Sequence, residues 1–372
     1  METINVLLDS EYKHYRLTKF SKITEKHDSI IMTRKIKYLF PSYNIKYKKI
    51  EDIDNIKNWI FPLELAFLEG ITNIKDFMSL LPNVVLKQFL DKKGTLLFII
   101  RDNILDTDIQ LIQESIPKDS YMLKHVLFLS THKDQGNFKH WTTFPHHVDS
   151  FSVDNRSITI NSNSSCEFVG NYDKRYFCCF LQNYADGPER KYLLSFLEKY
   201  KLLDKGFVSA KNYAKDFYNP KRKGGYFFSS YSSVFNDLDI GSTLNNSFLN
   251  IIPEGSFTHR TSQYVTEKVL RSFIYKKPFI LINRQYDLKY IQSMGYKTFS
   301  PIINESYDRI YDHASRLVAI QKEIKRLLDK PFSEFKKDME QLEDICNYNY
   351  DTYLNNKNKL EKYLYDRITK NY

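Results

Sequence analysis

Two charged residues, Glu267 and Lys268, stand side by side near the start of a predicted amphipathic helix. At such a position the backbone N–H groups and the positive end of the helix dipole favour an anion. A carboxylate there can accept hydrogen bonds from a ribose diol, and the adjacent ammonium can neutralise a diphosphate. The solvated face of an ordinary amphipathic helix carries the same residue types, so the pair alone leaves nucleotide binding and surface charge as alternatives.

The segment around this pair predicts a βαβ unit. An apolar run at residues 248–252 is followed by a turn that contains Glu254. The helix is expected to begin near Thr261 or Ser262, both of which are good N-cap residues. A second apolar run, at residues 278–282, follows the helix. The order of strand, turn, helix and strand is typical of a nucleotide-binding sheet.

The preceding stretch predicts the opening of the same sheet. Residues 176–181 form an apolar strand candidate, and Asn183 lies in the turn after it. A helix is predicted over residues 189–201, with Arg190 at its start. Gly206 is expected to stop that helix and to precede a short strand.

The first half of the chain predicts a second α/β sheet. Apolar runs at residues 4–8, 95–100 and 125–130 have the character of strands buried inside a parallel sheet. Residues 54–90 place apolar side chains at helical spacing and predict helices. Two α/β halves imply a cleft between them, where small ligands commonly bind. The predicted fold class is α/β, with two Rossmann-like domains facing a cleft and a C-terminal helical tail.

Composition shifts suggest the domain boundaries. We predict an N-terminal acceptor-side domain over residues 1–155, a nucleotide-sugar-binding domain over residues 172–330 and the helical tail over residues 331–372. Within the second domain, Ser306 or Asp308 is expected to cap the long helix that follows, with ligand contact as the alternative.

Three motifs of the chain resemble those of a known family. IIPEGSF, YVTEK and KPFILIN resemble the donor-domain signature of the α-1,3-fucosyltransferases and of related virus- and bacterium-encoded glycosyltransferases of the GT-B architecture. The resemblance covers residues 248–307 and, more weakly, residues 176–209. The family has Glu-Asn after the strand, whereas this chain has Glu254 and Gly255, so the resemblance does not assign the sugar.

This resemblance implies roles for individual residues. Glu267 would bind the ribose of a nucleotide-sugar donor, and Lys268 and Arg190 would hold its diphosphate. Tyr264 and Glu254 would line the donor pocket. The complete set of donor-binding residues implied in this way is Asn183, Arg190, Glu254, Tyr264, Thr266, Glu267 and Lys268.

A transferase of this kind needs a base that deprotonates the acceptor hydroxyl. His132 and Asp134 lie in a polar loop after a predicted strand, and His146, His147 and Asp149 form a second cluster. One of these five is expected to act, although each could equally be a structural or surface residue. His146 and His147 are adjacent and would point to opposite faces of a strand, so we predict no metal site. No cofactor is expected beyond the nucleotide-sugar co-substrate.

Composition and net charge indicate which binding partners and which cellular compartment to expect. The net charge of +10 suits anionic partners such as nucleotide phosphates or DNA, or it serves solubility alone. Cys166, Cys178, Cys179 and Cys346 lack CxxC spacing and predict neither disulfides nor a zinc site. No apolar run reaches the roughly 18 residues that cross a bilayer, and the N-terminus lacks the features of a signal peptide. We expect a soluble protein of the cytoplasm, or of the host cytoplasm if the chain is viral.

A basic and aromatic segment leaves a second function class open. Lys221, Arg222 and Lys223 precede the aromatic residues 226–228, and such a mixture can bind nucleic acid or form a solvated loop. We predict a metal-independent, inverting glycosyltransferase that acts on a glycan or on a hydroxymethylated base in DNA. The alternative is a non-catalytic nucleic-acid-binding or interaction protein on the same fold.

Overall fold

The computed structural model describes residues 3–8, 14–17, 25–27, 36, 39–40, 42–56, 59–65, 78, 81–100, 125–130, 141–143, 175–183, 188–211, 243–254, 257 and 266–369. The chain divides into two compact units. The first comprises residues 1–151 together with residues 355–372, and the second comprises residues 152–354.

The first unit is built on an eight-stranded sheet in which only the β2–β3 pair is antiparallel. Strand β5 is central, because it pairs with β6 on one side and with both β1 and β2 on the other. The strands are β1 Thr3–Leu8, β2 His14–Leu17, β3 Glu25–His27, β4 Asn44–Lys49, β5 Trp59–Leu65, β6 Thr95–Ile100, β7 Val126–Ser130 and β8 Trp141–Thr143.

The helix prediction for residues 54–90 is wrong over β5, although helix α1 (Asn83–Leu90) lies within that range. Residues 59–65 read WIFPLEL, a nearly continuous apolar run of the kind that a strand buried on both faces requires. The adjacent residues Trp59 and Ile60 point to opposite faces of the strand and are both fully buried, so the apolar spacing of this run reflects burial on two faces. Pro62 lies where the partner changes from β1, at Ile60, to β2, at Leu63, and a missing N–H is tolerated there.

The core of the first unit includes the end of the chain. Ile4, Ile60 and Leu97 of the sheet pack in one apolar cluster with Leu360 and Leu364. The last two belong to α7 (Glu343–Thr369), whose final part from residue 355 lies in the first unit. The long helix is therefore shared between the two units along its length.

The second unit is built on a four-stranded, fully parallel sheet in the order β10-β9-β11-β12. Together with the first sheet, it confirms an α/β fold with two Rossmann-like units. The elements of the second unit are β9 Arg175–Asn183, α2 Pro188–Lys199, β10 Gly206–Lys211, β11 Ser247–Pro253, α3 Glu267–Ile274, β12 Phe279–Ile282, α4 Asp287–Ser293, α5 His313–Leu328, α6 Phe332–Glu340 and the first part of α7.

Gly206 does not stop helix α2, contrary to the prediction. The helix ends at Lys199, and Lys201 takes the left-handed conformation with φ of 55°. Gly206 is extended and opens β10 directly beside Phe177 of β9. A Cβ atom at position 206 would lie 2.5 Å from the Phe177 ring, so glycine is needed for packing and not for its backbone freedom.

Replacing Gly206 with alanine is therefore expected to destabilise the second unit by about 1 to 3 kcal/mol, the usual cost of overpacking a core. Phe177 is fully buried and cannot swing into solvent. Hydrogen exchange of the β9 and β10 amides, recorded at increasing urea concentration, measures this loss of stability. The double variant Gly206→Ala/Phe177→Leu should recover part of the loss, because the smaller side chain relieves the contact. A single variant as stable as the wild type would contradict this packing argument.

Candidate functional site

The strand order of the second unit locates a crevice at the edge of its sheet. The chain goes from β9 outward to β10, then returns past β9 to β11 and continues to β12. In open parallel sheets, ligands bind outside the carboxyl ends of the strands where the direction of winding reverses. That point lies between β9 and β11, whose carboxyl ends are Asn183 and Pro253.

A buried carboxylate follows β11 at this point. Glu254 has no solvent exposure, and each of its oxygens has a partner. The Thr266 hydroxyl donates to Oε1 at 2.5 Å, and the Lys268 ammonium donates to Oε2 at 2.9 Å. The side chain of Lys268 is 13% exposed. The carboxylate thus fixes the lysine ammonium at the start of helix α3.

Helix α3 begins later than the sequence suggested. Its N-cap is Thr266, whose hydroxyl oxygen accepts a hydrogen bond from the Lys268 N–H at 3.3 Å. The predicted N-caps at Thr261 and Ser262 are therefore wrong, since Thr266 serves that role through contacts with two residues. Glu267 is the first helical residue, and its side chain lies outside the described atoms.

Arg190 and Asn183 belong to the same edge. Arg190 lies in the first turn of α2 and is buried, with Nη1 3.5 Å from the Leu181 carbonyl oxygen of β9. Its Nε atom is 4.0 Å from a carboxylate oxygen of Glu189. Asn183 is the last residue of β9, and only its backbone is described. The structure therefore brings Glu254, Thr266 and Lys268 into direct contact and places Arg190 after the neighbouring strand.

Sequence reasoning did not identify a second buried acid at the end of β12. Asp287 is fully buried and accepts a hydrogen bond from the Arg284 N–H at 3.0 Å, with Arg284 Nε 3.6 Å away. Burial raises the pKa of Asp287 to about 7; Arg284 opposes the rise, while Asp308 and Glu254 add to it. An aspartate in a first helical turn is a common capping pattern, so the sequence carried no distinctive signal for this residue.

Asp308 caps a different helix from the one predicted. Its carboxylate accepts hydrogen bonds from the N–H groups of Leu288, at 3.0 Å, and Lys289, at 3.3 Å, in the first turn of α4. The long helix α5 is capped by Asp312, which accepts from the Ser315 N–H at 2.7 Å. The expectation that Ser306 or Asp308 caps α5 is therefore wrong.

An open groove of about 720 Å³ runs along α4 and the residues before α5. Lys289 and Arg309 lie on its lining together with Glu305 and Asp308. Burial raises the pKa of Glu305 to about 7, against hydrogen bonds that include one from the Phe299 N–H at 2.6 Å. The groove contains charges of both signs, and its described lining includes none of the predicted donor-binding residues.

The other predicted residues lie outside the described part of the chain. This applies to the candidate bases His132, Asp134, His146, His147 and Asp149 and to Tyr264, Gly255 and the basic segment 221–228. Among the described residues, no three His, Cys, Asp or Glu side chains are grouped so that they could hold a metal ion. Cys178, Cys179 and Cys346 are free and buried. No helix within the described ranges is long and apolar enough to cross a membrane.

Comparison with known proteins gives distant structural likenesses. No protein-family model matches the sequence, and no curated protein matches it. The N-terminal domain of Candida albicans trehalose-6-phosphate phosphatase is 8% identical, covers 99% of this chain and 96% of its own, and has a TM-score of 0.49. An α,α-trehalose 6-phosphate synthase from Burkholderia multivorans is 5% identical over 98% of both chains, with a TM-score of 0.42.

Glycosyltransferases are among the other similar structures. The pneumococcal O-GlcNAc transferase GtfA, solved with UDP and GlcNAc, is 9% identical, covers 86% of this chain and 58% of its own, and has a TM-score of 0.38. At these TM-scores the likenesses carry no weight for function.

Proposed function

We propose that the second unit binds a nucleotide-sugar at the crevice between β9 and β11 and that the protein is a glycosyltransferase. The observation that carries this proposal is the lysine ammonium of Lys268, held by the buried Glu254 at the N-terminus of α3. A fixed cation, the N-terminus of α3 and the reversal of strand order coincide there, and each favours a phosphate group.

Within this proposal, different residues bind different parts of the donor. Lys268 and Arg190 bind the diphosphate, while Glu267 accepts hydrogen bonds from the ribose hydroxyls. Tyr264, Asn183 and Thr266 complete the pocket. We assign Glu254 a different role from lining the donor pocket, because it is fully buried. Its carboxylate positions the ammonium of Lys268.

The proposed reaction is a direct displacement with inversion. The oxygen of the acceptor hydroxyl attacks the anomeric carbon as the bond from that carbon to the diphosphate oxygen breaks. The hydroxyl proton passes to a base drawn from His132, Asp134, His146, His147 and Asp149. Negative charge that develops on the departing diphosphate is compensated by Lys268, Arg190 and the start of α3.

The acceptor within this proposal is a hydroxyl of a glycan or of a modified base in DNA, and the sugar is unassigned because Gly255 replaces the asparagine of the fucosyltransferase motif. A DNA acceptor predicts binding to duplex DNA that weakens steeply with salt. A chain that binds DNA in this way but no nucleotide would instead belong to the non-catalytic class.

The first test is titration calorimetry of the full-length protein with GDP, UDP, ADP and CDP. One of these nucleotides should bind, and Glu267→Ala should weaken that binding at least about 10-fold through loss of the ribose hydrogen bonds. Mass spectrometry of nucleotide-sugars incubated with the protein should then detect hydrolysis of the matching donor.

A matched control is Glu334→Ala, which removes an exposed carboxylate from the first turn of α6 in the same unit. It should leave nucleotide binding unchanged. Absence of binding to all four nucleotides, or equal affinity in the wild type and Glu267→Ala, would count against the transferase proposal.

A further inference from the structure

A second cation lies on the same helix as Lys268 and has no side-chain partner among the described residues. Arg271 follows one turn later on α3 and is 7% exposed. Its Nε atom is buried and makes no hydrogen bond. Within the described part of the chain, no hydrogen bond or ion pair reaches its guanidinium. This is an unusual environment for arginine, which carries its charge at all physiological pH values.

Another buried arginine of this unit shows what a structural role requires. Arg316 is 1% exposed, and all of its guanidinium nitrogens have acceptors. Nε donates to the Asn283 carbonyl at 3.0 Å, Nη1 to the carbonyls of Ile310 and Tyr311 at 2.9 and 3.1 Å, and Nη2 to the Phe257 carbonyl at 3.1 Å. No such set of acceptors surrounds Arg271 among the described residues, so they do not offset the burial of its Nε atom.

Arg271 borders the crevice at the reversal of strand order. The same small crevice is lined by Lys268, by Phe180 of β9 and by residues 250–253 of β11. The Asn250 side chain in this lining accepts from the Cys178 thiol at 3.5 Å and donates to the Ser272 hydroxyl at 2.8 Å. The described residues that line the crevice include no carboxylate.

The charges around the crevice do not balance. Glu254 neutralises Lys268, with which it forms the 2.9 Å ion pair. Among the described side chains, Arg271 then remains as a positive charge without a counter-ion, three residues along the helix from Lys268 and on the same face. A buried and unpaired charge is costly, so the site is incomplete without an anion.

We propose that Arg271 binds phosphate: together with Lys268 it holds the diphosphate group in the crevice between β9 and β11. This inference rests on the proposed function and extends it, since it adds a buried guanidinium to the residues implied by the motif. Arginine suits the task because its planar fork can donate two parallel hydrogen bonds to phosphate oxygens. The diphosphate can belong to a nucleoside diphosphate or be free inorganic diphosphate.

Calorimetric titration of the full-length protein with inorganic diphosphate, with the four nucleoside diphosphates and with uridine and guanosine separates these sources. Arg271→Gln is expected to weaken binding of diphosphate and of the preferred nucleotide about 10- to 100-fold. Arg271→Lys, which keeps the charge but not the fork, should fall between that variant and the wild type. The control Arg309→Gln removes an exposed arginine outside the crevice and should change affinity less than about 2-fold.

Thermal unfolding without ligand provides a readout that a structural role would move in the opposite direction. Arg271→Met should raise the Tm of the ligand-free protein, because it removes a buried charge that has no partner. The same variant should lose the increase in Tm that diphosphate gives the wild type. A lower Tm in the ligand-free variant means that Arg271 supports the fold, and it overturns the proposal.

The outcomes distinguish this inference from the proposed function. If the wild type binds a nucleoside diphosphate and Glu267→Ala loses it while Arg271→Gln does not, the role of Arg271 is overturned and the nucleotide site stands. If inorganic diphosphate binds through Arg271 but no nucleotide binds more tightly, the anion subsite is supported and the transferase proposal fails. If the wild type binds neither, both are overturned.

Discussion

Replacing Lys268 with methionine is expected to lower the free energy of unfolding of the second unit by about 3 to 5 kcal/mol, the usual cost of breaking a buried ion pair from one side. Glu254 would keep its hydrogen bond from Thr266 but lose the ammonium at 2.9 Å, and it has no access to water. Nucleotide binding should be lost in the same variant. Both tryptophans, Trp59 and Trp141, belong to the first unit, so hydrogen exchange in β11 and β12 is the appropriate measurement.

The double variant Glu254→Gln/Lys268→Met separates stability from binding. A neutral amide at position 254 can still accept from the Thr266 hydroxyl and leaves no charge buried. Most of the lost stability should return, whereas nucleotide binding should stay absent. Lys322→Met, which changes an exposed lysine of α5, should stay within about 0.5 kcal/mol of the wild type. A Lys268→Met protein as stable as the wild type would show that the ion pair contributes nothing to the fold.

The strands of the second unit could be predicted because each is buried on both faces. Residues 248–252 are apolar except for Asn250, residues 278–282 are apolar throughout, and the structure has strands β11 and β12 there. The wrong helix prediction over residues 59–65 also follows from burial on both faces. That run is equally apolar, but apolar residues within it also match helical spacing, and a short window cannot separate the two patterns.

Contacts between residues far apart in the chain could not be predicted from the sequence. Glu254 and Lys268 are 14 positions apart, and Asp308 caps a helix that begins 21 positions earlier. Each partner is an ordinary surface residue type, and nothing in its neighbours indicates burial. Thr266 shows the same limit locally, because three hydroxyl residues compete for the N-cap and only the position of Glu254 favours the last.

The same reasoning applies to the residues that could do chemistry. The motif identified Lys268, and the structure supplies the buried carboxylate that orients it. Arg271 is an ordinary helical arginine in the sequence, and only the structure shows that it is buried without a side-chain partner among the described residues. A missing partner is a property of the whole surrounding structure, so no local pattern could have revealed it.

The stability of the second unit is expected to fall as the pH rises from about 4 to about 7, and Asp287 is the main cause. Its folded-state pKa is raised by burial to about 7, against a usual value of 3.8. Between these values the unfolded chain has released the proton and the folded chain retains it, so unfolding releases a proton and becomes easier as pH rises. One pH unit corresponds to about 1.4 kcal/mol, which gives a decline of about 4 kcal/mol from this residue.

The variant Asp287→Asn should remove that decline, because the amide stays neutral at every pH while its oxygen can still accept from the Arg284 N–H. Urea denaturation of the full-length protein at pH 4.5, 6 and 8, followed by hydrogen exchange in α4 and β12, measures the slope. The variant should be more stable than the wild type at pH 8 and equal to it near pH 4.

Glu305, whose pKa burial also raises to about 7, leaves a smaller decline in the variant, and Glu305→Gln should remove it. Asp351→Asn, an exposed position on α7, is the control and should keep the slope of the wild type. An unchanged slope in Asp287→Asn would mean that Asp287 is ionised in the folded protein, with Arg284 outweighing its burial.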